Sequence, residues 1–529
     1  MQLIPLFCCS GVGFQSLQYR SGPRSLINPR YGWKRRPSPH EPTIGRERPA
    51  LLAIFSHPST MLWIIAFEAV KGVAQSLDGL YSNITYYPPI NGSTATSNLT
   101  WALDGSGAPG IYNSSVTPNG SYGIYNWCDM PHVRAQNYPR PAQNMTLQYV
   151  EMIQRHQKRT PYASNQFPHP TPWYCNNSDI YAYLSSNMTQ PAVPVAWNDY
   201  QDEYNPFSVE PLGTCEYPQI TPAGFQDSYG HGQDVAGVYR TLLGFLPPTL
   251  NGSVKYRVTS NVITSQVAGG LVRGMFPTAS QVYVMHEIDS IDSLEPTYTC
   301  PWGAKLHKNM TSVSNPSWAQ HLNNSQSTAL YARLDSVSGV PTNDHGGFHV
   351  SFDHYYDNLS ARLCHQMPLP CNGTNCVTQA DADMVFRLGQ YEYSYYYRSS
   401  RAAFLYSLAI YGAYINELKN HLRNQVQGQG GDVKFLYNVA HDGSVGPLLG
   451  ALQISELPWP GMGSEVVFEL WKGADASHAV RVLWGGQPLN TTTPMGVLDM
   501  VPVDTFLNYL DNLTGPGSSG RQVYNMCYQ

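Results

Sequence analysis

The residues able to do chemistry gather at two places far apart in this chain. The first is Arg155-His156-Gln157-Lys158-Arg159-Thr160-Pro161, a histidine set among cations. Two guanidiniums and an imidazole make a fork suited to a phosphoryl group, since each arginine presents planar donors that match phosphate oxygens. The second is His441-Asp442-Gly443-Ser444, where a carboxyl group able to give or take a proton follows a histidine. A third candidate, Arg257, stands near the end of the β-branched run Val254 to Ser260. Each has a plainer reading alone: a basic surface turn, a capping aspartate beside a structural histidine, an arginine on a strand.

The elements that carry these residues decide between the readings. Tyr149, Val150, Met152 and Ile153 suit a strand buried on both faces, and Thr160-Pro161 cannot continue it, so the cationic cluster sits on the turn that follows. Val433 to Ala440 is a second apolar strand, directly before His441. Ligands of open α/β sheets bind at the carboxyl edge, so two such strands can bring both clusters to one place. Thr221 as N-cap and Pro222 at the first helical position open an amphipathic helix through Val235, Val238, Tyr239, Leu242 and Leu243. Ala402 to Val426 is the clearest helix, Ser444 reads as the cap of another, and Glu465–Trp471 and Ala479–Trp484 read as strands that extend or flank the sheet.

These elements predict an α/β fold: a mixed, largely parallel sheet core flanked by helices, built from residues 147–264 and 431–529. A mainly helical cap insertion is expected over 265–430, a glycosylated loop-rich segment over 76–146, and a leader over 1–75.

Composition bounds the partners. Of 529 residues only 13% are charged. Eight basic and two acidic residues precede Met61; without them 23 basic face 34 acidic residues, a net −11 that would repel nucleic acid and anionic membrane. The leader holds a secretory-type apolar run, Met61 to Phe67, with cleavage expected after Ala74 and Met61 as a candidate start; residues 51–70 could instead act as a membrane anchor. Fifteen Asn-x-Ser/Thr acceptors between Asn83 and Asn512 point to N-linked glycans and to a secreted, extracellular or cell-wall protein.

Outside the leader, Cys128, Cys175, Cys215, Cys300, Cys364, Cys371, Cys376 and Cys527 are an even set, read as disulfides of open connectivity. The Cys364–Cys376 cluster lacks paired zinc-module spacing, and Gly346-Gly347 interrupts the helix that would align Asp344, His345, His349, Asp353 and His354 on a metal. No metal site and no cofactor is expected. The oligomeric state stays open.

Arg155-His156-Gln-Lys-Arg159-Thr-Pro161 resembles the RHGxRxP signature of the histidine acid phosphatases, the group that includes fungal phytases. His441-Asp442 resembles their distal His-Asp pair, in matching order and separation, and Arg257-Val-Thr-Ser sits where that family puts a third phosphate-binding arginine. The likeness spans about Leu147 to Leu510. It implies His156 as nucleophile, Asp442 as general acid and base, and Arg155, Arg159, Arg257 and His441 as phosphate ligands. The implied reaction is hydrolysis of a small-molecule phosphomonoester through a phosphohistidine, without a metal. Such chemistry expects a His156 pKa pushed down by the arginines, an Asp442 pKa raised beside bound phosphate, and best activity below neutral pH.

Three departures stand out. Gln157 replaces the family glycine after the nucleophile, the stretch after Arg257 lacks a second arginine, and Gly443-Ser444 differs from the Asn-Thr of phytases. The sparse cations give no clear polyphosphate pocket, so a general acid phosphatase is expected rather than a dedicated phytase. The competing reading is a non-enzyme: a phosphate-ester-binding or cell-wall glycoprotein whose nucleophile Gln157 has spoiled. A glycoside hydrolase is the third, with no carboxylate pair in the sequence to carry it. Lys158 reads as a rim contact or solvated side chain, His231 as structural.

Overall fold

The apolar run ending at Arg155 becomes the central strand of a sheet. In the computed structural model the described residues are 84–90, 96–108, 125–175, 179–183, 193–197, 204–206 and 213–528. Met61, the Ala74 cleavage point and the 51–70 anchor lie outside them. All the described residues fall within one compact unit, Gln75–Gln529.

The strands are β1 (Met145–Arg155), the hairpin β2 (Asp179–Tyr183) and β3 (Val193–Trp197), β4 (Val254–Val258), β5 (Val284–His286), the hairpin β6 (Cys371–Asn372) and β7 (Asn375–Cys376), β8 (Phe435–Ala440), β9 (Glu465–Gly473), β10 (His478–Trp484), β11 (Gln487–Pro488) and β12 (Val501–Pro502). Among the described residues the main sheet runs β11-β10-β9-β1-β8-β4-β5, with β12 also on β10. The fold is α/β with a mixed sheet. β1, β8, β4 and β5 are parallel, while β9 and β10 add antiparallel strands beside β1.

Helices cover both faces. Pro222–Ala236, capped by Thr221 with Pro222 first, lies with Val262–Met275 on one face, where Val235, Val238, Val267 and Leu271 share a core with Val150, Tyr256 and Val439. Arg401–Val426, Asp442–Ala451 and Val503–Thr514 cover the other, packing Leu408, Ile415, Leu448 and Phe506 against Ile153, Leu436 and Phe468. Each such side chain contributes about 1.5–3 kcal/mol on burial. The stretch 265–430 is therefore divided. Its two ends flank the sheet, and its middle builds a separate aromatic core of Trp318, Tyr331, Tyr356 and Phe386, joined by Trp459 from beyond the stretch.

The cysteines pair as Cys128–Cys364, Cys175–Cys215, Cys300–Cys527 and Cys371–Cys376. Cys364, Cys371 and Cys376 are thereby all oxidised. The histidine-rich stretch is spent on local contacts: His349 Nε2 meets Asp335 at 2.9 Å, and Asp344 accepts from the Phe348 amide at 3.0 Å. Among the acceptor asparagines, Asn358 is buried and its side-chain amide donates to the Asn165 carbonyl at 3.2 Å.

Parallel register is what builds the site. Arg155 is paired with Ala440, so His156 and His441 are the next residues of neighbouring strands at one sheet edge.

Candidate active site

His156 is fixed from four directions. Its amide donates to the Ala440 carbonyl at 2.9 Å, and its own carbonyl accepts from the Gly463 amide at 3.1 Å. On the ring, Nδ1 lies 2.9 Å from the Gln157 carbonyl and Nε2 lies 3.4 Å from Arg159 Nε. A carbonyl can only accept, so Nδ1 carries the proton and the neutral ring keeps its lone pair on Nε2. Burial pushes the His156 pKa well down, and Arg159, Arg155 and His441 push it further. Burial and the surrounding cations together hold the ring neutral.

Gln157 keeps this geometry despite its side chain. The side chain turns beneath the loop, where Nε2 donates to His231 Nδ1 at 3.3 Å and His231 Nε2 meets Glu465 Oε2 at 2.7 Å. Room comes from Gly463 at φ +72°, since a Cβ there would come within 2.5 Å of the Gln157 amide. The backbone carbonyl faces the ring and the amide faces away.

Two guanidiniums flank the ring. Arg155, at the end of β1, donates to the Pro460 carbonyl at 2.5 Å, lies 4.4 Å over the Trp127 ring and reaches Asp442 Oδ2 at 3.4 Å. Its Nε is buried with no hydrogen-bond partner, a donor whose cost an anion's oxygen would remove. Arg159 is gripped by Asp357 at 3.0 Å and lies 4.2 Å over the Tyr162 ring.

From the second strand, His441 is the N-cap and Asp442 the first residue of the helix Asp442–Ala451; Ser444 is not the cap but accepts from the His441 amide at 3.2 Å. The His441 ring is 5.4 Å from that of His156, its Nε2 3.1 Å from Thr259 Oγ1 and 3.2 Å from Glu295 Oε2. Asp442 Oδ2 accepts from the Trp459 indole at 2.5 Å. Burial pushes the Asp442 pKa up, but Arg155, the indole, Arg159 and His441 outweigh it and hold it below the usual carboxylate range. The raised value expected from sequence belongs to a site holding phosphate, whose charge would take up the arginines that here face the carboxyl group.

Arg155, His156, Arg159, His441 and Asp442 thus converge. Arg257 does not. Strand alternation turns it toward the helix Arg401–Val426, whose Glu417 meets Nη1 at 2.8 Å, while Nε meets Glu287 at 2.5 Å and Nη2 meets Ser293 at 2.8 Å. All its nitrogens are engaged, and Thr259, two residues on, reaches His441 instead. Lys158 is neither rim contact nor solvated: it is buried against Asp227 at 2.8 Å. Sequence reasoning missed Asp357, Glu295, Trp127 and Trp459, which lie outside any motif.

A cavity of about 280 Å³ opens over Asp442, lined also by Tyr162, Glu295, Tyr397, Tyr406 and His441. A larger one, about 780 Å³, lies at the opposite sheet edge among Thr146, Leu147, Lys434 and Trp471. The smaller adjoins His441 and Asp442, and Arg155, His156 and Arg159 lie behind them rather than in its lining.

A family model described as Histidine phosphatase superfamily (branch 2) matches residues 146–484. The chain belongs to that superfamily. It is 26% identical over 385 residues to Counting factor 60 of Dictyostelium discoideum, covering 70% of this chain and 87% of the relative. With Homo sapiens 2-phosphoxylose phosphatase 1 it shares 23% over 329 residues, 60% of this chain and 66% of the relative. With Homo sapiens Lysophosphatidic acid phosphatase type 6 it shares 20% over 402 residues, 73% of this chain and 87% of the relative. Among solved structures, the Hafnia alvei phytase aligns at TM-score 0.46 and 14% identity, covering 71% of this chain and 98% of that one. Membership of the histidine phosphatase superfamily, with phosphatases among the relatives, supports phosphomonoester hydrolysis as the chemistry of this chain.

Proposed function

We propose that this protein is an acid phosphatase working through a phosphohistidine on His156, and that it acts outside the cell. The observation that carries the mechanism is the pair of contacts on the His156 ring, a carbonyl at Nδ1 and a guanidinium beside Nε2. Nε2 attacks phosphorus while the bond to the leaving oxygen breaks. Arg155, Arg159 and His441 neutralise the phosphoryl oxygens, and this stabilisation by groups already in place is the largest expected source of rate.

Asp442 supplies the leaving oxygen with a proton. The arginines hold it ionised, so protonation depends on a phosphate dianion entering and taking up their field. Once deprotonated, the same carboxylate draws a proton from the water that attacks the phosphohistidine and releases phosphate. The histidine pKa, pushed well down, keeps the nucleophile available in acid, and the need for a protonated Asp442 removes activity as pH rises.

The non-enzyme alternative required Gln157 to disturb the nucleophile. Its carbonyl accepts the Nδ1 proton at 2.9 Å and its side chain points away, which supports the enzyme. Export is supported by the acceptor asparagines and the disulfides. Assay of the purified chain with phenyl phosphate at about pH 5, between the ordinary carboxylate and imidazole ranges, tests the reading. Turnover together with labelled phosphate retained on His156 after a non-acid quench is expected; a folded protein giving neither would refute it.

A further inference from the structure

The nucleophile and its arginines account for one side of the cleft, and the other side is of different chemistry. The cavity over Asp442 is walled by Tyr162, Tyr397, Tyr406, Ile410 and Pro296, with Glu295 at its rim and no lysine or arginine among its lining residues. Of the cations near it, Arg155 and Arg159 face His156, and the others are committed elsewhere, Lys158 to Asp227 and Arg257 to Glu287 and Glu417. Tyr397 and Tyr406 stack with centroids 5.8 Å apart and planes 8° apart, and burial raises both phenols, so they present neutral faces. Burial works to raise the Glu295 carboxyl, yet His441 and the Thr259 hydroxyl outweigh it and hold it below the usual carboxylate range.

We infer that this cavity is the leaving-group site, that it takes a single neutral ring, as in an aryl or sugar monophosphate, and that Glu295 excludes substrates carrying further phosphates. The inference rests on the phosphohistidine reading above, which places the ester oxygen beside Asp442 and so the leaving group against the tyrosines. A ring laid on these faces leaves water and meets aromatic surface in edge or offset contact. A second phosphate would meet the Glu295 carboxylate with no lysine or arginine in the lining to offset it, a like-charge contact that disfavours such a substrate. At about 280 Å³ the cavity lies at the lower end of small-molecule sites, roughly 300–1,000 Å³, which suits one ring rather than an extended chain.

The test compares kcat/KM of the full chain on four probes: phenyl phosphate, a hexose 6-phosphate, dodecyl phosphate and inositol hexakisphosphate. One of the two ring monoesters is expected to exceed dodecyl phosphate at least about tenfold and the hexakisphosphate roughly a hundredfold, and which one leads separates aryl from sugar. Glu295→Gln should raise the ratio of hexakisphosphate to phenyl phosphate about tenfold, and Tyr406→Leu should lower the ratio of ring ester to dodecyl phosphate by a similar factor. Hexakisphosphate turnover within tenfold of the ring esters, or a preference for the alkyl ester, overturns the leaving-group site while leaving the phosphohistidine intact. Turnover of none of the four overturns the phosphatase reading and this inference with it.

Discussion

Two pairs of buried histidines lie on opposite sides of the loop Arg155 to Arg159. His156 and His441 meet edge to face at 5.4 Å beside two guanidiniums and an open cavity. His132 and His231 stack at 3.9 Å with planes 13° apart, His132 on Asp234 at 2.9 Å and His231 on Glu465 at 2.7 Å. Burial opposes charge on His132, but Asp234 and Glu465 outweigh it and raise its pKa, while burial and the neighbouring His132 lower that of His231. The second pair has its protons assigned by carboxylates and does not line the cavity over Asp442. Residue type alone does not set a buried histidine's state: two guanidiniums face His156, whereas carboxylates face His132 and His231. Gln157 joins the pairs, its carbonyl on one and its side-chain amide on the other.

His156→Ala should break the comparison most sharply, lowering kcat on phenyl phosphate by about 10³-fold or more, because no other group replaces the nucleophile. His231→Gln should lower it far less, and steady-state rates that fall equally for both would end the distinction between the pairs. Asp442→Asn follows, with kcat reduced about 10²–10⁴-fold and the deficit largest for poorly leaving alcohols, read from a series of esters of rising leaving-group pKa.

Arg257→Met should act on stability rather than chemistry. It leaves Glu287 and Glu417 unpaired and should cost about 3–5 kcal/mol in denaturant unfolding, while KM stays within about threefold at a temperature where the protein is folded. A KM that rises tenfold would return Arg257 to the site. Gln157→Leu should cost about 1–3 kcal/mol by leaving His231 Nδ1 without its donor, with kcat changed less than tenfold, since the carbonyl that orients His156 remains.

The smallest effect is in the pH dependence of stability. The folded His156 pKa lies well below the unfolded value near 6.5, so the unfolded chain binds a proton first as pH falls. The stability present above pH ~6.5 is therefore lost progressively below it, until the folded pKa is reached. His156→Gln removes this loss, and its melting temperature relative to the parent should rise between about pH 6.5 and pH 5. A difference independent of pH would show that His156 is not held neutral.

How far the site could be read beforehand differs residue by residue. Arg155, His156, Arg159, His441 and Asp442 were legible because each follows or ends an apolar strand, and β1 and β8 pair in parallel so that both C-terminal ends meet. The Thr221-Pro222 start was legible for an equally local reason, a side-chain cap and a residue with no amide to satisfy. Asp357, Glu295 and Trp459 were not, because each comes to the site from an element with no motif of its own.

By itself, the sequence determined the reactive groups, the strands that carry them and the family to which they belong, since these depend on residue type and local spacing. Tertiary structure decided the rest. Pleat alternation sent Arg257 to Glu287 and Glu417, the void at Gly463 let Gln157 turn to His231, and Asp227 neutralised Lys158. Each outcome depends on a partner distant in sequence whose position the packed sheet and helices fix.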